Sequence, residues 1–375
     1  MRILLVGGGS GGHVTPLKAI VEELDSNKHK IFIVSDRGFF KQTQFLFRDY
    51  PDIKLSKIFA GKFRRYHSKS IVWHIIHIST FFKNIRDIFY IVIGLIQSLI
   101  FMILHKPDIV FCKGGFVCIP MGISARLFGK KIIIHDSDTR PGLTNRFLSK
   151  WAKTIATGMP TDFYPYQKDK MIYVGMPVDS SYNKITKLDK QKYKDELGFN
   201  KNQPVLLVTG GGNGSEQINS LIGQIADQLL AKGWGIEHIC GKDKAKAILK
   251  IRGDDERNIC WHISEFTDML PRILAADIVI TRTSATTLQE CANSNKTVIG
   301  IPSPNLLDQA MNAEFFSSKD SLVYLKETGL EPARLLSEIN KLAMNPAQAK
   351  NLADNLFTNF AKPDAAKQIA NILVD

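Results

Sequence analysis

The chain has 375 residues, 44% hydrophobic and 23% charged, with a formal net charge of +13. That length suits two domains better than one core, and the apolar content excludes a disordered chain. Five cysteines (Cys112, Cys118, Cys240, Cys260, Cys291) include no CxxC pair, which argues against a disulfide framework or zinc knot and for a reducing cytoplasm.

In chain order, residues 2–6 form an uninterrupted apolar run, as a buried parallel strand requires. The opening lacks the basic, apolar and cleavage regions of a signal peptide. A helix is expected over 16–26 and a second strand over 30–34. Strands near 108–112, 131–135 and 153–157 follow, with a helix over 141–151. The pattern restarts at residue 204: a strand at 205–208, a Gly-rich turn, a helix over 215–231, then strands near 235–239, 257–261, 277–281 and 297–301. This repeated alternation predicts two doubly wound α/β domains. The linker falls within 160–200, near Pro160, Pro165, Pro177 and a charged stretch. The expected division is 1–165, 166–345 and a C-terminal helical segment, 346–375, able to pack back on the first domain.

Between the first strands lies an uncharged, nearly apolar run, 88–104, at the short limit for a membrane span. A span there would put two halves of one sheet on opposite sides of a bilayer. A helix lying against the membrane surface is therefore preferred, with a buried core helix as the alternative. Just upstream, Lys62-Phe63-Arg64-Arg65-Tyr66-His67-Ser68-Lys69 mixes cations with aromatics. That mixture suits an anionic lipid interface, so 62–104 is the expected membrane contact. No nucleic-acid recognition signature accompanies the basic run.

Two glycine turns carry the chemistry. Gly7-Gly8-Gly9-Ser10-Gly11-Gly12-His13 follows the first strand, and Thr209-Gly210-Gly211-Gly212-Asn213-Gly214-Ser215 follows the strand that restarts the pattern. Each can bring backbone N–H groups and a helix start to an anion. The first does not end in Gly-Lys-Ser/Thr and does not match G-x-G-x-x-G cleanly, with no acidic residue at a persuasive place after it. His13 closes the first turn, where a neutral imidazole can take a proton from an attacking hydroxyl. Glu290, beyond a Ser/Thr-rich turn, can accept from ribose hydroxyls. Gln309 and Asn312 share a helical face and can bond a sugar. Asp136 and Asp138 stand two apart without the second half of a hydrolase or metal motif.

Together these pieces resemble the MurG family, bacterial enzymes that add N-acetylglucosamine to the undecaprenyl-linked muramyl-pentapeptide precursor of peptidoglycan. The resemblance covers most of the chain and rests on six stretches in order. They are Gly8 to Pro16; Gly114-Gly115-Phe116-Val117 with Pro120; His135 to Asp138 with Pro141 to Asn145; Gly210 to Gly214 with Asn219; Arg282 to Glu290; and Asp308 to Ala313. It implies a GT-B fold, two Rossmann-like doubly wound domains facing a central cleft. The first domain would hold the lipid-linked acceptor through Gly11, Gly12, Thr15, Gly115, Phe116 and Asp138, with His13 as base. The second would bind UDP-N-acetylglucosamine through Gly211, Gly212, Asn213, Gly214 and Arg282, with Glu290 on the ribose and Gln309 and Asn312 near the sugar. Glu265 and Phe266 would meet the uracil and Met269 would cap it. Anomeric inversion is implied, with no cofactor and no metal, at the cytoplasmic face of the cell membrane.

Three positions depart from the family. Asp138 replaces an asparagine, Gly212 a serine that touches the diphosphate, and Asp179 an arginine near the donor phosphate. A carboxylate at 179 would repel a diphosphate unless another cation, such as Arg282, offsets it. Other readings compatible with the residues are a transferase for a different nucleotide sugar or lipid, an acceptor-free UDP-N-acetylglucosamine epimerase, and a membrane-bound binding module.

Overall fold

A computed structural model describes residues 1–25, 28–61, 78–183, 186–253 and 259–375. The chain divides into two compact units. The first comprises Met1–Ser137, Pro141–Asp179 and Asp364–Asp375; the second comprises Asp138–Arg140 and Ser180–Pro363.

The first unit is built on strands β1 (Arg2–Gly7), β2 (Lys30–Asp36), β3 (Lys54–Ile58), β4 (Ile109–Gly114), β5 (Lys131–Asp136), β6 (Thr154–Thr157) and β7 (Met171–Tyr173). They lie in the order β3-β2-β1-β4-β5-β6-β7, every neighbouring pair parallel. Side chains alternate between the two faces of β1. Ile3 and Leu5 join one core with Leu17, Ile20, Ile369 and Leu373, from helices α1 (Gly11–Glu23) and α14 (Ala365–Val374). Leu4 and Val6 join the other with Phe101, Met102, Cys118 and Met121, from α3 (Ile78–His105) and α4 (Cys118–Leu127). Short helices α2 (Phe40–Leu46) and α5 (Leu143–Leu148) complete this unit's α-helices among the described residues.

The second unit repeats the plan. Strands β8 (Val205–Thr209), β9 (Gly235–Ile239), β10 (Trp261–Ser264), β11 (Ile278–Thr281), β12 (Thr297–Gly300) and β13 (Val323–Tyr324) form a parallel sheet in the order β10-β9-β8-β11-β12-β13. Around it lie α6 (Lys187–Glu196), α7 (Glu216–Ala231), α8 (Ala245–Arg252), α9 (Met269–Ala275), α10 (Ala285–Asn293), α11 (Leu307–Ser317), α12 (Pro332–Met344) and α13 (Pro346–Phe360). Both sheets reverse strand order beside their first strand, at β1/β4 and at β8/β11. In such sheets ligands bind outside the carboxyl ends of the strands at that point.

The first unit extends to Asp179 rather than 165, because β7 adds a seventh strand beside β6. The expected segment 346–375 is divided: α13 belongs to the second unit and α14 to the first. Helix α1 begins at Gly11, not 16, with Pro16 inside it; Pro16 has no N–H to offer the Gly12 carbonyl. The strand expected at 257–261 lies at Trp261–Ser264, and residues 254–258 fall outside those described.

By length and composition, Ile85–His105 of α3 is long and apolar enough to cross a membrane. One side of the helix is nevertheless committed to the fold. The Phe59 N–H donates to Gln97 Oε1 at 2.8 Å, the Tyr90 ring lies 5.0 Å from that of Phe59, and Phe101 meets Phe32 edge-on at 5.9 Å. At Gly94 a Cβ would strike the Phe59 carbonyl, so glycine permits this close approach. The opposite side exposes Phe89, Val92, Ile96, Ile100 and Ile103, each at least half accessible. These residues follow helical spacing and form one apolar stripe. A span would strip α3 from its sheet. The basic run 62–69 and residues 71–77 lie outside the described residues.

Candidate active site

In the first unit the expected residues gather at the carboxyl ends of β1, β4 and β5. The first glycine turn is fixed by a residue that spacing did not single out, Asp36 at the end of β2. Its carboxylate accepts from the N–H groups of Gly9, Gly38 (2.9 Å) and Phe39 (3.2 Å). The turn therefore has its acidic partner, engaged with backbone amides. The Ser10 side chain makes no capping bond at the start of α1. The first-turn amides of Gly11 and Gly12 thus carry the helix's positive end without a capping hydroxyl.

His13 sits in the first turn of α1. Its imidazole lies against the Gly114-Gly115 backbone: a Cβ on Gly114 would come within 2.9 Å of both Cε1 and Nδ1. Gly114 and Gly115 have φ of +132° and +85°, so glycine there serves both conformation and clearance. Phe116 follows, its ring beside Gly9. Thr15, one turn into α1, is half-buried. The ring of His13 is partly covered, yet its Nδ1 is wholly shielded and has no hydrogen-bond partner among the described residues. Burial, and then the charge of Lys113, push its pKa down to about 3.

Lys113 is the second residue that sequence reasoning missed. It is fully buried at the end of β4, and its ammonium donates to Ser137 Oγ, with Met176 Sδ at 3.9 Å. A lysine closing the apolar run 109–112 just before a glycine pair was the available signal. His135, on β5, donates through Nε2 to the Gly175 carbonyl at 2.8 Å. Burial first, and then Lys113, hold it well below its ordinary pKa. Asp136 accepts from Tyr166 Oη and, at 3.3 Å, from the Gly142 N–H. Burial raises its pKa against those bonds. Asp136 therefore holds the 136–142 turn.

Asp138 departs from expectation. Residues Asp138–Arg140 belong to the second unit, and Asp138 Oδ1 accepts from Asn312 Nδ2 at 2.9 Å. Asn312, expected at the sugar, is fully buried. Its second N–H goes to the Thr283 carbonyl (3.1 Å), and its oxygen accepts from Thr139 N–H (3.1 Å) and Thr139 Oγ1 (3.0 Å). A primary amide has two donors and two acceptor positions, so Asn312 is saturated by protein. Two residues assigned to different substrates thus bond each other. Asp179, expected beside the donor phosphate, lies in the first unit, where burial first and then its charge raise the pKa of Glu22, and where it adds a lesser push to that of Tyr50 behind burial and Glu22.

The second unit places the remaining candidates along the carboxyl edge of its sheet. In the 210–214 turn the glycines have different duties. A Cβ on Gly210 would strike the Ser215 N–H, and one on Gly214 (φ +67°) the Cys240 carbonyl. Gly211 and Gly212 have nothing within 4 Å of a Cβ, so they form an open arch. Lys244 closes one side, donating to the Asn213 carbonyl at 2.8 Å. Asn219 supports the turn from below, donating to the Cys240 carbonyl (3.0 Å) while its oxygen meets His238 Nε2 (2.9 Å).

Behind the arch, Ser215 caps α7 by accepting from the Ile218 N–H at 3.2 Å. Arg282, just past β11, donates through Nη2 to Ser215 Oγ and, at 2.8 Å, to Glu327 Oε1. Thr283, a β-branched residue at φ +58°, is held there by Oγ1 bonding the Gln309 carbonyl at 2.8 Å. Such strain persists only where the surroundings over-determine it. Gln309 uses Oε1 to accept from the Ser303 N–H at 3.1 Å. Glu265 accepts from Ala245 N–H at 3.3 Å, at the start of α8. Phe266 beside it is 43% exposed, and Met269 opens α9. Glu290 is buried within α10, every residue of which is buried. Glu327 and Lys244 were not foreseen. Both lie in polar loops that carry no pattern until the sheet brings them to this edge.

Residues 3–157 match the glycosyltransferase family 28 N-terminal domain, and residues 205–369 the C-terminal domain of that family. The chain is 31% identical over 384 aligned residues to the UDP-N-acetylglucosamine–N-acetylmuramyl-(pentapeptide) pyrophosphoryl-undecaprenol N-acetylglucosamine transferase of Clostridium kluyveri, covering 99% of this chain and 98% of that one. It is 30% identical to the Bacillus anthracis transferase 2 of the same name, with 92% of each covered. Among solved structures, MurG of Acinetobacter baumannii superposes with a TM-score of 0.70 at 21% identity, covering 100% of this chain and 99% of that one. The two Rossmann-like parallel sheets, the paired glycine turns and these full-length relatives together establish that the chain belongs to the MurG family of glycosyltransferases.

Proposed function

We propose that this protein transfers N-acetylglucosamine from UDP-N-acetylglucosamine to muramyl-pentapeptide pyrophosphoryl-undecaprenol, with inversion, in bacterial peptidoglycan synthesis. The carrying observation is the seat of His13, an imidazole held neutral against Gly114-Gly115 at the start of α1. A neutral imidazole can accept the proton of the acceptor's sugar hydroxyl as that oxygen attacks the anomeric carbon. Lys113 makes the resulting imidazolium costly. An acceptor diphosphate at the Gly11 and Gly12 amides would offset that charge, so the base gains strength when its substrate is bound. On the donor side, the Gly211–Asn213 arch, the α7 N-terminus and Arg282 suit the leaving diphosphate.

The exposed stripe of α3 supports peripheral attachment at the cytoplasmic face of the membrane, where a lipid-linked acceptor resides. The apolar face would enter the headgroup boundary, and the basic run at 62–69 would meet anionic lipid.

The test is transfer of radiolabelled N-acetylglucosamine to the muramyl-pentapeptide lipid in vesicles, run beside a panel of other nucleotide sugars. His13→Ala should lower turnover by about 10²–10⁴-fold, the usual contribution of a general base, with UDP binding intact. Full turnover in that variant removes His13 from the role. Preference for another nucleotide sugar overturns the donor assignment.

A further inference from the structure

We propose that Glu327 is a positioning residue for the donor diphosphate: it pins Arg282 against the positive end of α7 beneath the 210–214 arch. This rests on the donor reading above and names a residue which that reading does not contain. The problem it answers is electrostatic. The start of α7 carries partial positive charge, and the guanidinium of Arg282 is driven against its cap, donating to Ser215 Oγ. Two positive features brought together repel, and an unpaired arginine would swing away from the helix. Glu327 Oε1 accepts from the same Nη2 at 2.8 Å, and the Ser215 hydroxyl points to that oxygen at 3.5 Å.

The three side chains close a ring whose carboxylate offsets both positive partners. All three are largely withdrawn from solvent: Ser215 is buried, and the side chains of Arg282 and Glu327 are 15% and 10% exposed. Burial strengthens the pairing and limits water's ability to replace it. The open side of the arch lies at Gly211 and Gly212, where nothing approaches within 4 Å of a Cβ. Glu327 therefore holds the cation at Nη2 without coming within 4 Å of a Cβ on Gly211 or Gly212. The strained Thr283 fixes the backbone next to Arg282 and completes its aim. The ligand class served is a nucleoside diphosphate, and the effect belongs to its phosphates.

The full-length protein is titrated calorimetrically with UDP and with uridine, as wild type, Glu327→Gln, Arg282→Ala and the double variant, with melting temperatures measured alongside. The expected result is that Glu327→Gln weakens UDP about 5–10-fold, leaves uridine unchanged, and adds no further loss in the Arg282→Ala background. Equal weakening of UDP and uridine would reveal a merely structural role and overturn the proposal. UDP binding that is unchanged or tighter in Glu327→Gln, while Arg282→Ala still weakens it, also overturns the proposal and leaves the donor site standing. Indifference of UDP to Arg282→Ala overturns the donor reading itself, and the proposal with it.

Discussion

Gly114→Ala displaces His13 while touching little else. The added Cβ would stand 2.9 Å from both Cε1 and Nδ1 of the imidazole, with no closer atom. Ordinary carbon contacts lie at about 3.5–4 Å, so the ring must retreat by roughly 0.5–1 Å. Displacement near 1 Å of a positioned group costs about 10²-fold in rate, equivalent to about 2.7 kcal/mol of barrier. Alanine at φ +132° also strains the backbone, by roughly 1–3 kcal/mol. Gly129→Ala separates the two effects, because Gly129 has φ +64° and nothing within 4 Å of a Cβ. The assay is steady-state transfer with saturating acceptor, with thermal melts of both variants. Both should lose stability. Only Gly114→Ala should lose turnover, by about 10–100-fold, with donor KM unchanged. Turnover within about twofold of wild type would refute the claim that the glycine pair exists to seat His13.

Four further outcomes follow from the structure. Because the pKa of His13 is lowered to about 3, its base form is present above that pH and is lost only as pH falls through it. The acid limb of kcat/KM should therefore show no step near 6.5 from this residue. Lys113→Met should raise the His13 pKa, read by NMR titration of its ring, and an unmoved value would remove Lys113 from its electrostatic role. Asp277 accepts from Lys190 (2.6 Å), Lys194 (2.7 Å) and the Val205 N–H (2.8 Å). Burial works to raise its pKa, but the two lysines prevail and lower it. A depressed carboxylate contributes stability above its unfolded value near 3.8 that is lost as pH falls through the folded value. Asp277→Asn should cost about 1–3 kcal/mol at neutral pH by removing the charge that faces Lys194, which keeps its bond to the Gln203 carbonyl at 2.6 Å, and denaturant melts across acid pH should show the variant's deficit shrinking. Ile96→Glu with Ile100→Glu places two charges on the exposed face of α3. Sedimentation with anionic vesicles should fall at least tenfold while soluble-donor binding holds, and unchanged sedimentation would exclude that face from attachment.

Much of the first unit's plan was already present as local pattern. Continuous apolar runs at 2–6, 30–34 and 108–112 specify buried parallel strands, because only a strand covered on both faces dispenses with polar residues. The restart at 204 specified the second sheet by the same logic. Short edge strands such as Val323–Tyr324 escaped, since two residues carry no period. The glycine turns were legible because glycine before a helix has few other uses. Asp36, Lys113 and Glu327 were not, since each bonds a residue at least 24 positions away, and proximity across a sheet leaves no trace in spacing.

Asp138 and Asn312 mark the same limit from the other side. Their chemistry was legible in the sequence, but not that each would be satisfied by the other. The sequence by itself determined the two doubly wound domains and the glycine turns that precede their first helices, because periodicity and glycine conformation are local properties. Only the tertiary structure decided the charge state of His13, the pinning of Arg282 and which polar groups are already paired. Those depend on burial and on partners brought together by strand order, and neither exists until the chain has folded.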